Sequence, residues 1–532
     1  MPPHCLFDFP CSDSGEHRLL AFGAPREVLR AEHPGEVRDV LQIADERARA
    51  GAWVGGYVAY DAAPAFDTAL HIPGRDTALP LAWFAVFDAP LNGIHLPEPT
   101  SPTQNHGPDK PWQASITRQH FNNDIARLRQ HIHDGDAYQI NHTLRLTASI
   151  RDNPGAALDW FAALLAAQPD GYCAYLDPGD GTHILSASPE LFFRRSGDTL
   201  TTRPMKGTVQ RGRWAAEDRE LASWLHASEK NRAENLMIVD LLRNDLSRIA
   251  RPNSVKVTDL FAVERHPTLW QMTSTVQATA RPGTRLPEIF AALFPCGSVT
   301  GAPKAKAMEL IARLETEPRG IYCGAIGLIQ PGGDATFNVA IRTVTLKNGH
   351  ATCGVGSGIT WDSEASEEYA EALLKARFLE AGNVAASFGL FETLRLENGQ
   401  YWLPERHLKR LNDSAEYFGF PCDLTACRDQ LAKAAREHPA GSWRVRLDLT
   451  NDGRITGMTA PLPDTPPRPT FLLMPQTLPR NAAPLHHKTT QRQHLDLALA
   501  EAKKKQPDIF EVLLHNEAGE LTEFTRGNLV LE

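Results

Sequence analysis

The chain has 532 residues, 42% of them hydrophobic and 22% charged, and its 64 acidic residues against 55 Lys and Arg leave a formal charge of −9. That balance suits a soluble globular protein with large cores, excludes global disorder and fibrous repeats, and shows no basic surplus for a nucleic-acid partner. The opening MPPHCLFDFP carries no basic segment before an apolar one, no run of about 18 apolar residues occurs, and the eight cysteines are scattered without a CxxC pair, so the expectation is a cytoplasmic protein with free thiols.

The first hundred residues mix apolar alternation, as in WVGGYVAY (53 to 60), with short helix-like stretches. The Pro-rich, polar stretch LPEPTSPTQNHGPDKPW (96 to 112) reads as a long surface loop, because it can hold neither a ladder nor a helix interior. From about 115 to 380, amphipathic helices alternate with apolar strands: helix FNNDIARLRQHI (121 to 132), strand CAYL (173 to 176), helix AENLMIVDLLRNDLSRIA (233 to 250) and strand AIGLI (325 to 329). In FPCGSVTGAPKAKAM (294 to 308) a glycine-bearing turn opens a helix at Ala302-Pro303, where exposed N–H groups suit an anion. Gly354, Gly356 and Gly358 in TCGVGSGITWDS permit close approach of the backbone to a ligand. EASEEYAEALLK sets Glu364, Glu368, Glu371 and Lys375 at intervals of three or four, along one face of a helix expected to run to Gly382. A domain boundary falls at AGNVAAS (381 to 387), where the strand pattern FGLFETLRL takes over, and APLPDTPPRPT (460 to 470), with five prolines in eleven residues, reads as a semi-rigid linker between two subdomains.

These pieces occur together with SPELFF (188 to 193), TRPMKGT (202 to 208), AENLMIVDLLRNDL (233 to 246), RGIYCGAIG (319 to 327) and FNVAIRT (337 to 343). In that order the chain resembles the chorismate-utilising enzymes from about residue 115 to 380. The resemblance implies an α/β (α+β) fold, with mixed sheets flanked by helices around a magnesium and chorismate site. Residues 1–114 would be the N-terminal part of that fold, 115–380 the chorismate-binding catalytic domain and 381–388 a linker. By position Glu234 and Glu371 match the family's magnesium carboxylates, with Glu368 nearby, and oxygen ligands suit that ion. Asn231 departs from the pattern, since relatives usually carry Asp or Glu there. Arg342, Tyr322 and Lys375 match the residues that hold the enolpyruvyl carboxylate, for which the planar arginine fork is well shaped. Thr300, Gly301 and Gly356 are expected to line the substrate.

Two positions discriminate among the family's reactions. Branches that add water carry a basic lysine where this chain has Gln139, and a glutamine cannot deprotonate water. Lys206 resembles the lysine of the branch that aminates chorismate at C4, the aminodeoxychorismate synthases, whereas anthranilate synthases carry alanine. Its amine would add at C2 as the C4 hydroxyl leaves, and ammonia would then attack C4 and expel the lysine. Glu190 matches the family's general acid. No glutaminase nucleophile turn accompanies any cysteine, and the resemblance implies that ammonia comes from a separate glutamine amidotransferase subunit. The alternatives are anthranilate synthesis and a docking scaffold whose sites have decayed.

From Phe388, FGLFETLRLENGQYWLPERHLKRLNDSAEYFGF, HHKTTQRQ and GELTEFTRGNLV resemble the fold-type IV pyridoxal phosphate (PLP) enzymes, which include class IV aminotransferases and aminodeoxychorismate lyase. The resemblance implies PLP on Lys488, Glu523 at its ring nitrogen and Arg410 at its phosphate. Relatives continue for several dozen residues past the Glu523 motif with a helix start that cups the phosphate, so 389–532 is expected to be a partial fold-type IV domain in which lyase turnover is open.

Overall fold

The computed structural model describes the whole chain apart from residues 1–2, 12–15, 94–95, 97–107, 109–110, 151–154, 267–268, 384–387, 465, 477–481 and 528–532. The 381–388 linker and the 96–112 loop therefore lie largely outside the described residues. Two compact units emerge, one of Met1–Val209 with Leu225–Ala386 and one of Gln210–Trp224 with Ser387–Glu532.

The first unit is built on two large antiparallel sheets, of nine and ten strands among the described residues. Several of its strands are short runs buried on both faces, as in Tyr172–Leu176, Ala325–Ile329 and Ala335–Val339. Such runs stay buried only where each sheet is covered on both sides. That cover explains why Trp53–Val58 is buried from Val54 onward. Val54 and Val58 enter a core with Phe192, Phe290 and Phe337, while Tyr57 enters another with Phe7 and Trp83. The N-terminal strands are woven into both sheets: Cys5–Pro10 pairs with Tyr172–Leu176, and Trp53–Val58 with Ala325–Ile329. Within the nine-stranded sheet, Gln139–Ser149 pairs with His350–Ile359 in a register that sets Thr143 opposite Gly356 and Asn141 opposite Gly358.

Helix boundaries follow local chemistry. The helix expected from 233 begins at Glu229, because the Ser228 hydroxyl caps it by accepting from the Asn231 N–H, and it runs to Ser247. Lys304–Leu314 starts just after Pro303, as the sequence indicates. The helix expected to reach Gly382 is α-helical only over Ala365–Leu374 and tightens to 3-10 turns over Lys375–Asn383.

The second unit holds a four-stranded sheet in the order Gln400–Tyr401, Leu390–Glu397, Ser442–Leu449, Ile455–Pro461, and a three-stranded sheet of Phe471–Pro475, Glu511–His515 and Leu521–Phe524. Helices Pro404–Phe418 and Leu424–Glu437 bury Leu408, Leu411, Cys427 and Leu431 against the first of these. The Pro-rich 460–470 stretch passes from one sheet to the other. Residues 210–224 belong to this unit through Arg211, which pairs with Asp218, donates to the Tyr417 carbonyl at 2.7 Å and lies 4.4 Å from the Tyr417 ring centre. All eight cysteines are unpaired, and among the described residues no helix is long and apolar enough to cross a membrane.

Candidate active site

The three glycines of His350–Ile359 lie in a strand, not a turn, and at alternate positions they share one face. At Gly356 the nearest approach is the His142 carbonyl, 2.4 Å from where a Cβ would stand, while at Gly354 and Gly358 it is side chain. A Cβ on Gly354 would fall 2.2 Å from the Tyr322 ring, and one on Gly358 would fall 2.1 Å from the Gln139 amide nitrogen and 3.4 Å from the Lys206 amine. The two positions that discriminate among reactions, Gln139 and Lys206, therefore meet across Gly358.

Lys206 sits on Met205–Gln210 and donates to the Ser298 carbonyl at 3.2 Å. Burial holds its amine below the ordinary lysine range and the nearby Lys375 pushes it lower, against the pull of Glu234, Glu190 and Glu371. Glu190 is buried, and its Oε1 has no hydrogen-bond partner. Burial lifts its carboxyl from 4.5 to about 7, opposed by the Ser298 side chain, Lys206 and the Met205 N–H. A lysine biased toward the neutral amine beside a carboxyl biased toward the acid can supply a nucleophile and a proton donor in one place. Thr300 and Gly301 follow Ser298. The Thr300 hydroxyl is engaged by the Cys296 and Gly297 carbonyls, while Gly301 pairs with Ile140, so these two shape the turn that meets Lys206.

Glu368 and Glu371 lie on Ala365–Leu374 and Glu234 on Glu229–Ser247. Glu234 is pushed up by burial, held down by Lys206 and Lys230, and raised again by Glu371 and Glu368, which brings the three carboxylates into one electrostatic neighbourhood. Glu368 Oε2 is buried without a partner. Burial of Glu371 is outweighed by Lys375, 2.8 Å away, which keeps this carboxyl below its usual range. Lys375 also donates to the Gly356 carbonyl at 3.0 Å. Among the described residues no preformed cage of three or more metal-ligating side chains exists. Two or three carboxylates with an open face are nevertheless the donor set magnesium uses when it keeps waters. Asn231 donates instead to the Ser228 hydroxyl at 2.9 Å, so its side chain serves the helix cap.

Arg342 lies beyond this cluster with φ of 48° and donates to Gln168. Burial draws its guanidinium down to about 10, and among the described residues no carboxylate pairs with it. A buried cation without an anion is costly unless a ligand supplies one. The Tyr322 ring lies 5.2 Å from the Arg145 guanidinium, and burial raises its hydroxyl well above the usual range.

In the second unit Lys488 has its amine 5.3 Å from the centre of the Phe391 ring, and burial lowers it below the ordinary lysine range. Burial raises Glu523, with Arg492 and Lys488 pulling it down, so Lys488 and Glu523 are neighbours. Arg410 is held bidentately by the buried Glu392 at 2.6 Å through both nitrogens.

The sequence profile of chorismate binding enzymes matches residues 12–381. The chain belongs to the chorismate binding enzymes. Residues 389–532 match the profile of class IV aminotransferases. The aminodeoxychorismate synthase component 1 of Salmonella typhimurium is 36% identical over 336 residues, which cover 59% of this chain and 73% of that protein. The anthranilate synthase component 1 of Streptomyces coelicolor is 41% identical over 266 residues, 50% of this chain and 52% of the relative, so the chain spans about half the length of that protein. The solved anthranilate synthase component I of Streptococcus pneumoniae superposes with a TM-score of 0.57 at 28% identity, over 71% of this chain and 90% of that one.

Membership of the chorismate binding enzymes accounts for the order of the motifs. Ser298 and the ion pair Glu315 with Arg319 were missed in sequence, although both lie in or beside quoted motifs. Their signal was faint: Ser298 looks like a turn residue, and a Glu-Arg pair at i, i+4 is ordinary on a solvated helix face.

Proposed function

We propose that the first unit is an aminodeoxychorismate synthase, converting chorismate and ammonia to 4-amino-4-deoxychorismate and water. The observation that carries this reading is the Lys206 amine at the Ser298 carbonyl, beside a Glu190 carboxyl that titrates at about 7, with Gln139 in place of a base for water. Lys206 forms a bond to C2 of the ring while the C4–O bond breaks, and Glu190 gives its proton to the departing hydroxyl, which leaves as water. Ammonia then bonds to C4, the C2–N bond breaks, the lysine amine is restored, and the proton shed by the new amine returns to Glu190. Arg342 binds the enolpyruvyl carboxylate, Tyr322 borders it, and Lys375 steadies Gly356 on the substrate strand.

Magnesium would be held by Glu234, Glu371 and Glu368, where it supplies neutralisation of the ring carboxylate. The partnerless Glu368 oxygen and the crowding of three carboxylates support that assignment. The ammonia source is a glutamine amidotransferase subunit, and the compartment is the cytoplasm, in keeping with the unpaired thiols. For the second unit we assign PLP binding at Lys488 with Glu523 at the ring nitrogen. Arg410 would reach the phosphate only by sharing its fork with Glu392.

Similarity to the Streptomyces coelicolor anthranilate synthase favours a second reading, direct amination at C2. That reaction has no use for a lysine nucleophile. The chain with chorismate, magnesium and ammonium is expected to yield aminodeoxychorismate by mass, and Lys206→Ala to abolish it. Anthranilate made equally by wild type and Lys206→Ala would transfer the protein to the sister reaction, and isochorismate or salicylate would overturn the argument from Gln139.

A further inference from the structure

Behind the candidate site, the turn 297–301 and the strand Gln139–Ser149 share one buried ion pair. Arg319 donates from Nε and Nη2 to the Glu315 carboxylate at 2.9 and 2.7 Å, and both side chains are almost wholly buried. Its other hydrogen bonds go to backbone, Nη1 donating to the Val299 carbonyl and Nη2 to the Asn141 carbonyl, each at 2.8 Å, and its guanidinium lies 4.6 Å from the Tyr60 ring centre. Glu315 Oε1 in turn accepts from the Thr143 N–H at 2.9 Å and from its hydroxyl at 2.8 Å. The Asn141 N–H donates to the Thr300 carbonyl at 2.8 Å, which closes the link between turn and strand. Arg145 stands 3.8 Å from the other Glu315 oxygen, donates to the Pro318 carbonyl at 3.1 Å and faces the Tyr322 ring.

One buried guanidinium thus ties the residue after Ser298 to the strand that carries Gln139. We infer that Arg319, held by Glu315, is a positioning residue that fixes the 297–301 turn so that Ser298 presents its carbonyl to Lys206 and its side chain to Glu190. The inference rests on the roles given to Lys206 and Glu190 above. Helix and sheet stability alone would need no arginine here, since a buried ion pair is weak support for stability and apolar residues of similar volume often serve as well. What an apolar pair cannot do is donate to two carbonyls on separate segments while holding a carboxylate in the same plane. Lysine at this position keeps the charge but offers a point donor in place of the fork. The misplacement it permits lies within the range in which about 1 Å costs on the order of a hundredfold in rate.

Arg319→Lys tests this, with Glu315→Gln as a second variant that keeps the shape and removes the charge. Amide exchange by mass spectrometry is expected to quicken over residues 297–301 in both, with the strand Ala325–Ile329 unchanged. The rate constant kcat for amination is expected to fall by about tenfold or more while KM for chorismate stays within about threefold, since Arg342 and the carboxylates are untouched. Exchange over 297–301 as slow as in the wild type, in whichever variant folds, would overturn the inference. So would a loosened turn with kcat preserved. If the wild type forms no aminated product, the proposed reaction fails instead, and the exchange comparison still judges the clamp.

Discussion

Replacing Glu190 by Gln separates stability from chemistry at one atom. An ordinary glutamate titrates at 4.5, and burial moves this one to about 7. Because the folded value lies above the unfolded one, the contribution to stability is complete below pH 4.5 and is lost as pH rises to about 7. At about 1.4 kcal/mol per pH unit the loss reaches about 3 kcal/mol and stays constant above that. Glu190→Gln keeps the shape and removes the charge, so it is expected to be more stable than the wild type by about 3 kcal/mol at pH 8 and nearly equal at pH 4.5. In a unit of this size that corresponds to a rise in Tm of roughly 5 °C at the higher pH. The same change removes the proton donated to the leaving hydroxyl, so kcat/KM is expected to fall by about 10² to 10⁴. Thermal unfolding at the two pH values with steady-state rates at pH 7 to 8 measures both. A variant less stable than wild type at pH 8, or a Tm difference that does not change with pH, refutes the burial argument. Unimpaired turnover refutes the role as acid.

Arg342→Gln removes a buried cation that has no anion of its own, and KM for chorismate is expected to rise by about 10- to 100-fold with a smaller effect on kcat, as for the loss of a charge-assisted contact; an unchanged KM would place the enolpyruvyl carboxylate elsewhere. Glu371→Gln is expected to raise the magnesium concentration for half-maximal rate by about tenfold or more, and an unaltered magnesium titration would remove it from the ligand set. Wild-type protein incubated with PLP and passed through a desalting column is expected to retain visible absorbance that Lys488→Ala lacks, and colourless wild type would sink the assignment.

How much of this was legible in the sequence depends on the range of the physics involved. The Glu371 and Lys375 pair could be read directly, because spacing of four on a helix forces proximity whatever surrounds it. Ala325–Ile329 declared itself as a strand by being apolar at every position. Glycines 354, 356 and 358 signalled close approach, yet the approaching groups at Gly354 and Gly358 are Tyr322 and Gln139 with Lys206, which a one-dimensional pattern cannot name. Glu315 and Arg319 have the same spacing as Glu371 and Lys375, but Val299 and Asn141 complete the first pair from 20 and 178 residues away in sequence. Membership of residues 210–224 in the second unit likewise depends on Tyr417, far along the chain.

Charge offers a last argument for the proposed site. The chain is acidic at −9, and the site does not reverse that by itself: Arg342 and Lys375 stand against Glu234, Glu368 and Glu371, with Lys206 as the neutral amine and Glu190 protonated as the proposed acid. That set is net negative, while chorismate is a dianion. A divalent cation would offset that charge, and the three carboxylates of the set are the ones proposed to hold it. Chorismate and magnesium should therefore bind with reciprocal enhancement. Calorimetric titration of chorismate is expected to give an affinity at least about tenfold higher with saturating magnesium than with EDTA, and the Glu371→Gln variant is expected to lose most of that difference. Equal affinity in both conditions would mean that Arg342 and Lys375 suffice for the dianion, and the metal assignment would fall with the charge argument.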